Sequence, residues 1–222
     1  MSQDLKKPDL TLPLCEKHNR ELKKYPFPYE WSSSFGLRCD ECESEKRETE
    51  RLYRAGIPSR YHGTDLQLYK RDRKPFEGFR YKPFDLILTG GVGTGKTFLA
   101  IALLKERLKV VSNCNYVIFS GLIREVKESW RRDSMKTESQ IIDNYSFNLD
   151  LLVIDEIGVQ FGSLMETQYL TEIVNNRYNE FLPTILVGNT THEDLKTFLG
   201  DRILDRIREK GKVVSFSGES YR

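Results

Sequence analysis

No apolar run in this chain of 222 residues approaches the roughly 20 residues that a membrane-spanning helix requires. Met1 to Leu10 lacks the pattern of a secretory leader. Charge of one sign is scarce as well: 35 Lys and Arg stand against 33 Asp and Glu, leaving a net charge of +2. A global basic field that would announce nucleic acid is therefore excluded, and any such contact has to be local. No internal repeat is visible. Cysteine is limited to Cys15, Cys39, Cys42 and Cys114. These absences point to the cytoplasm, with no membrane partner. In a reducing compartment, clustered cysteines suggest metal binding rather than disulfides.

Enough apolar residues remain, 38% of the chain, for one ordinary domain plus a small appendage. The most informative stretch is Gly90-Gly91-Val92-Gly93-Thr94-Gly95-Lys96-Thr97. It fits G-x-x-x-x-G-K-[ST], a phosphate-binding loop. Glycines let backbone N–H groups turn inward around an anion, and a following helix points its positive end at the same place. Gly91, Val92, Gly93, Thr94, Gly95, Lys96, Thr97 and Phe98 are the expected nucleotide contacts. Lys96 reaches the outer phosphates, and the Thr97 hydroxyl sits on Mg²⁺. Residues 84–89 read as the strand entering the loop and residues 98–107 as the helix leaving it.

A second apolar strand, residues 151–154, runs into Asp155-Glu156. Acids at the carboxyl edge of a parallel sheet lie beside such a loop. Asp155 is expected to hold magnesium, and Glu156 to orient or deprotonate the attacking water. A third strand, residues 183–188, ends at Asn189, whose amide can meet the γ-phosphate or the water. In residues 200–208, Arg202 and Arg206 share one helical face, and an arginine there can reach a neighbour's γ-phosphate.

Near the N-terminus, Cys15-x-x-His18 and Cys39-x-x-Cys42 form two ligand pairs separated by 20 residues. Two-residue gaps let both side chains of a turn converge on one tetrahedral ion. Three thiolates and one imidazole fill the coordination shell, so the expected site is structural zinc. Such a site would stabilise a segment too short for its own core. The aromatics Tyr25, Phe27, Tyr29, Trp31 and Phe35 are expected to cluster over it. Residues 43–54 read as an exposed helical connector. Residues 60–82 carry seven Lys or Arg against three acids and read as a solvated linker or a phosphate contact. Between the second strand and the acids, Leu122, Val126 and Trp130 fall on one helical face, and Arg124, Lys127 and Arg131 on another.

The run from Val153 to Gln160, the run from Gly200 to Arg206, and the ending Ser220-Tyr221-Arg222 resemble the DnaC-type replicative helicase loaders. These are AAA+ proteins related to the initiator DnaA. The resemblance covers roughly residues 55–222, and the Cys/His pairs resemble the zinc-bearing N-terminus of phage and prophage members. It implies an α/β fold: an AAA+ P-loop core with a central parallel sheet flanked by helices, preceded by a small zinc-binding module. The implied domains are 1–54 and 55–222. It further implies that Arg206 is an arginine finger acting on a neighbouring subunit and Arg222 a sensor 2 arginine. Adenine is expected near Ile57 and Tyr61. Arg124, Lys127 and Arg131 are the implied contacts to single-stranded DNA.

The expected function is ATP-dependent loading of a hexameric replicative helicase onto single-stranded DNA. ATP, Mg²⁺ and Zn²⁺ are the cofactors, and subunits associate through the ATPase domain. Two alternatives share much of this pattern: an IstB-type transposition helper, and an adaptor that binds ATP without hydrolysing it. A small-molecule kinase is disfavoured, because neither a lid nor an acceptor-site pattern is present.

Overall fold

The computed structural model describes residues 13–26, 35–158, 164–189 and 192–217. The chain divides into two compact units, Met1–Arg51 and Leu52–Arg222.

The first unit holds an antiparallel pair, β1 (Lys23–Pro26) and β2 (Phe35–Arg38), with Lys23 opposite Arg38. It runs into α1 (Asp40–Arg54), whose first turn carries Asp40, Glu41 and Glu43. Acids there suit the positive end of the helix. The helix is mostly exposed, as the connector reading expects, but it begins at Asp40 and so includes Cys42. Phe27, Tyr29 and Trp31 of the expected aromatic cluster lie outside the described residues.

The second unit contains β3 (Asp85–Gly90), α2 (Lys96–Leu108), β4 (Cys114–Ile118), α3 (Phe119–Ser129), α4 (Glu138–Phe147), β5 (Leu151–Ile157), α5 (Leu164–Asn179), β6 (Thr184–Gly188), α6 (His192–Lys210) and β7 (Gly211–Phe216). The five strands form one parallel sheet in the order β4-β5-β6-β3-β7. This is the expected α/β architecture. Strands covered on both faces read as continuous apolar runs, and Leu151 to Ile154 are fully buried. Alternate residues serve opposite faces. Leu86, Leu88, Val153, Ile185 and Val187 pack against α2 residues such as Leu99 and Leu103. Ile87, Leu152, Ile154 and Leu186 pack against residues of α3 to α6.

Residues 60–82 are not a solvated linker. Tyr69, Phe76 and Phe79 are buried in the α2-side core, and Arg80 pairs with Glu106 of α2. The apolar rings in this stretch outweigh its surplus charge. The stretch between β4 and β5 also departs from the single-helix reading. Leu122 and Val126 are buried, but α3 ends at Ser129 and Trp130 is 53% exposed. Its indole N–H donates to Glu138 at 2.6 Å. A second helix, α4, starts at a capping box: the Thr137 hydroxyl accepts from the Gln140 N–H, and the Gln140 side chain accepts from the Thr137 N–H. In α6, Gly200 (φ +75°) breaks the helical path, so Arg202 and Arg206 ride on a separate segment.

Arg177 of α5 is fully buried. Its guanidinium donates to the carbonyls of Tyr145, Leu149 and Pro183 and to the Thr184 hydroxyl, at 2.9–3.0 Å. It ties the end of α4 to the loop entering β6. Burial pulls its pKa down to about 10, which leaves it charged at neutral pH. Arg177→Ala orphans these acceptors and opens a cavity. The expected loss is about 3–5 kcal/mol of unfolding free energy, read by urea denaturation followed by circular dichroism. A loss below about 1 kcal/mol would remove Arg177 from this role.

Candidate functional site

The phosphate loop joins β3 to α2. Gly93 and Gly95 have φ of +80° and +92°, the left-handed region that favours glycine. Gly95 is the N-cap of α2 and supplies no side-chain cap, so the first N–H groups of the helix are left for a ligand. At Gly90, φ is +127° and a Cβ would overlap the Phe216 carbonyl of β7. That glycine lets β7 lie alongside the strand that delivers the loop.

Lys96 is 4% exposed. Its ammonium donates to the carbonyls of Gly90 (2.8 Å) and Gly91 (2.6 Å), and to the Thr94 hydroxyl at 3.3 Å. Burial pushes its pKa down, while Asp155 pulls it up. The loop is thus shaped around a cation that waits for an anion.

β5 brings Asp155 beside the loop. The Thr97 hydroxyl donates to Asp155 Oδ2 at 2.9 Å, so the two expected magnesium ligands meet. Their hard oxygens suit that ion. Tyr116 of β4 also donates to Oδ2, at 2.8 Å. The Glu156 N–H donates to Oδ1 at 2.7 Å. Glu156 itself has φ of +60°, and the β5–β6 register slips between Ile154 and Ile157. A non-glycine residue at that φ is strained. The bulge lifts the Glu156 side chain out of the ladder into solvent, and its carboxylate has no hydrogen-bond or ion-pair partner among the described residues. Asn189 follows β6 at the same carboxyl edge and is exposed. β6 pairs with β3 on one side and β5 on the other, so Asn189 stands between the phosphate loop and the two acids.

The remaining predicted residues fall into three groups. Ile57 is 1% exposed and lies in the core. Its N–H donates to the Leu52 carbonyl, and its own carbonyl is paired with His62 Nε2. Tyr61 packs at the edge of the same core. The opening beside the loop is lined instead by Leu68, Tyr69, Lys70, Arg71, Thr94, Gly95 and Phe98, with the Tyr69 and Phe98 rings stacked at 6.5 Å. Arg206 lies over the Tyr178 ring at 4.9 Å and donates to the Asn175 side chain, both on α5. Arg222 lies outside the described residues. Arg124 and Lys127 line a cleft with Glu156, Gly158 and Glu166. Lys127 pairs with Glu166 at 2.8 Å, whereas Arg131 lies past the end of α3.

In the first unit the side chains of Cys15, His18, Cys39 and Cys42 converge, with all four ligand atoms within 4.8 Å of one another. Cys15 and His18 sit in a tight turn in which the Asn19 N–H donates to the Cys15 carbonyl at 2.7 Å. Cys39 and Cys42 flank the start of α1. The Cys15 and Cys42 sulfurs are 3.7 Å apart, and His18 Nδ1 is 3.4–3.7 Å from all three sulfurs. A tetrahedron with Zn–S bonds of about 2.3 Å has edges of about 3.8 Å, so this set fits zinc. Burial and the adjacent sulfurs push the Cys42 thiol up to about 11. The Cys15 thiol moves the other way, down to about 6, through hydrogen bonds with the His18 backbone and side chain, and a bound cation favours the thiolate form of such ligands. The far nitrogen of His18, Nε2, lies 3.3 Å from Glu45 Oε1, the carboxylate–histidine arrangement that fixes a metal-binding ring. Glu45 and Tyr116 carry no motif. Glu45 is one of many acids on α1, and Tyr116 reaches Asp155 only through sheet register.

The family model for IstB-like ATP binding proteins matches residues 79–222. The replicative helicase loader DnaC of Escherichia coli (strain K12) is 33% identical over 158 residues, 71% of this chain and 64% of that protein. The chain thus spans less than two thirds of the length of that relative. The uncharacterized protein YdaV of the same organism is 29% identical, over 87% of this chain and 83% of its own. A crystal structure of the DnaC helicase loader superposes with a TM-score of 0.61 at 22% identity, covering 72% of this chain and all of that one. With its phosphate loop, acid-tipped strand and parallel sheet in AAA+ arrangement, the chain belongs to the IstB-like ATP-binding family.

Proposed function

We propose that this protein is an Mg-ATP-dependent loader that places a hexameric replicative helicase onto single-stranded DNA. The observation that carries the reading is the meeting of Thr97 with Asp155 beside Lys96, in a chain similar to the replicative helicase loader DnaC. The uncapped start of α2 and the loop N–H groups receive the phosphates, and Lys96 turns from the loop carbonyls to them. Thr97 and Asp155 hold magnesium, which neutralises phosphate charge when bound. Glu156 orients the attacking water, with Asn189 beside it. Arg206 completes the site of a neighbouring subunit, so an isolated subunit turns over slowly. Arg124 and Lys127 are the DNA contacts in this reading, and Arg131 extends them past the helix end. The domain division at residue 54 and the zinc module's role as a grip on a protein partner belong to the same proposal.

The name of the matching family favours a second reading, an IstB-type helper that partners a transposase. Pull-down separates the two. The tagged chain is expected to retain a hexameric replicative helicase, and ATP with single-stranded DNA is expected to change the retained amount severalfold. Capture of a transposase with no helicase would overturn the loader reading.

A further inference from the structure

We propose that Tyr116 is a positioning residue for Asp155, the carboxylate that holds magnesium; this rests on the Mg-ATP reading above. Tyr116 lies in the middle of β4 and is 5% exposed. Its ring belongs to the α2-side core, a place where phenylalanine would serve equally well for packing. The hydroxyl is what distinguishes it, and that hydroxyl donates to Asp155 Oδ2 at 2.8 Å. A neutral phenol is an O–H donor, and a carboxylate oxygen can only accept.

Among the described residues Asp155 receives three donors: Tyr116 and Thr97 on Oδ2, and the Glu156 N–H on Oδ1. Thr97 has to share its oxygen with the ion. The Glu156 N–H belongs to a strained residue in a bulge. Tyr116 is the donor with no second task, held by a regular strand pairing to β5. Its backbone also secures the approach to the site. The Tyr116 N–H donates to the Ala55 carbonyl at 2.7 Å, and a Cβ at Gly56 would overlap the Tyr116 carbonyl. One residue thereby fixes the segment leading to Tyr61 and the orientation of Asp155.

Tyr116→Phe tests this in the full-length protein with a fluorescent ATP analogue. The Mg²⁺ concentration for half-maximal binding is expected to rise about 10- to 100-fold, with affinity in EDTA within about twofold of the native protein. An unchanged magnesium requirement, or equal weakening with and without magnesium, would overturn the proposal, because packing alone gives those results. If Tyr116→Phe melts early, 3-fluorotyrosine at position 116 keeps the hydroxyl. Its fluorine resonance is expected to move when Mg²⁺ is added to the nucleotide-bound protein, and an unmoved resonance also overturns the proposal. Thr97→Ala is the separate control. If it leaves the magnesium requirement unchanged, the Mg-ATP reading itself fails, whatever Tyr116 does.

Discussion

Glu156→Gln is expected to lower ATP turnover by about 10²- to 10⁴-fold, the usual contribution of a positioned general base. Nucleotide affinity is expected to stay within about threefold, because binding rests on other residues. The substitution is nearly isosteric, and the Glu156 carboxylate has no hydrogen-bond or ion-pair partner among the described residues. Folding therefore has little to lose. The backbone at φ +60° is the same for both side chains, so the carboxylate charge is what changes. Phosphate release measures turnover, and the fluorescent analogue measures affinity. Turnover within threefold of the native rate would take Glu156 out of the chemistry. Helicase loading that survives the loss of hydrolysis would favour an adaptor that only binds ATP.

Cys39→Ser is expected to abolish stoichiometric zinc and unfold the first unit. That unit, Met1–Arg51, is below the size at which an apolar core alone suffices. In peptides of this kind zinc binding contributes about 10–16 kcal/mol, and most of that is folding free energy. Native protein should carry one zinc per chain by metal analysis. In the variant, amide exchange in β1 and β2 should become fast. Nucleotide binding by the second unit should be unchanged, since none of its proposed ligands lies before residue 52. A metal-free variant with protected β1 and β2 amides would show that the metal does not hold this unit together.

The phosphate loop was legible in the sequence because backbone geometry dictates its residue types locally. Glycine is needed at positions 93 and 95 by φ, and Lys96 and Thr97 by what they touch. The Cys/His pairs were legible for the same reason, since two residues of spacing set the bite of a metal-binding turn. Asp155 was readable as the end of an apolar strand. The bulge that strains Glu156 was not, because it arises from a register slip against β6, a neighbour set by folding. Tyr116 reaches Asp155 across 39 positions of chain, and no local pattern encodes that distance. The end of α3 was misread because Leu122, Val126 and Trp130 share a helical spacing. The competing signal was the Thr137–Gln140 capping box, which opens a new helix seven residues past Trp130. Arg177 looked like any surface arginine of a polar helix, and only the three-dimensional fold surrounds it with carbonyls.

The resting place of Lys96 has a thermodynamic consequence. Its ammonium is already coordinated by two carbonyls and a hydroxyl, so an incoming phosphate does not meet a bare charge. It replaces one set of oxygens with another, and the gain is the difference between two coordinated states. A moderate nucleotide affinity is the expected result, read by titration with the fluorescent analogue. Such an exchange suits the repeated release of nucleotide that the proposed loading cycle requires.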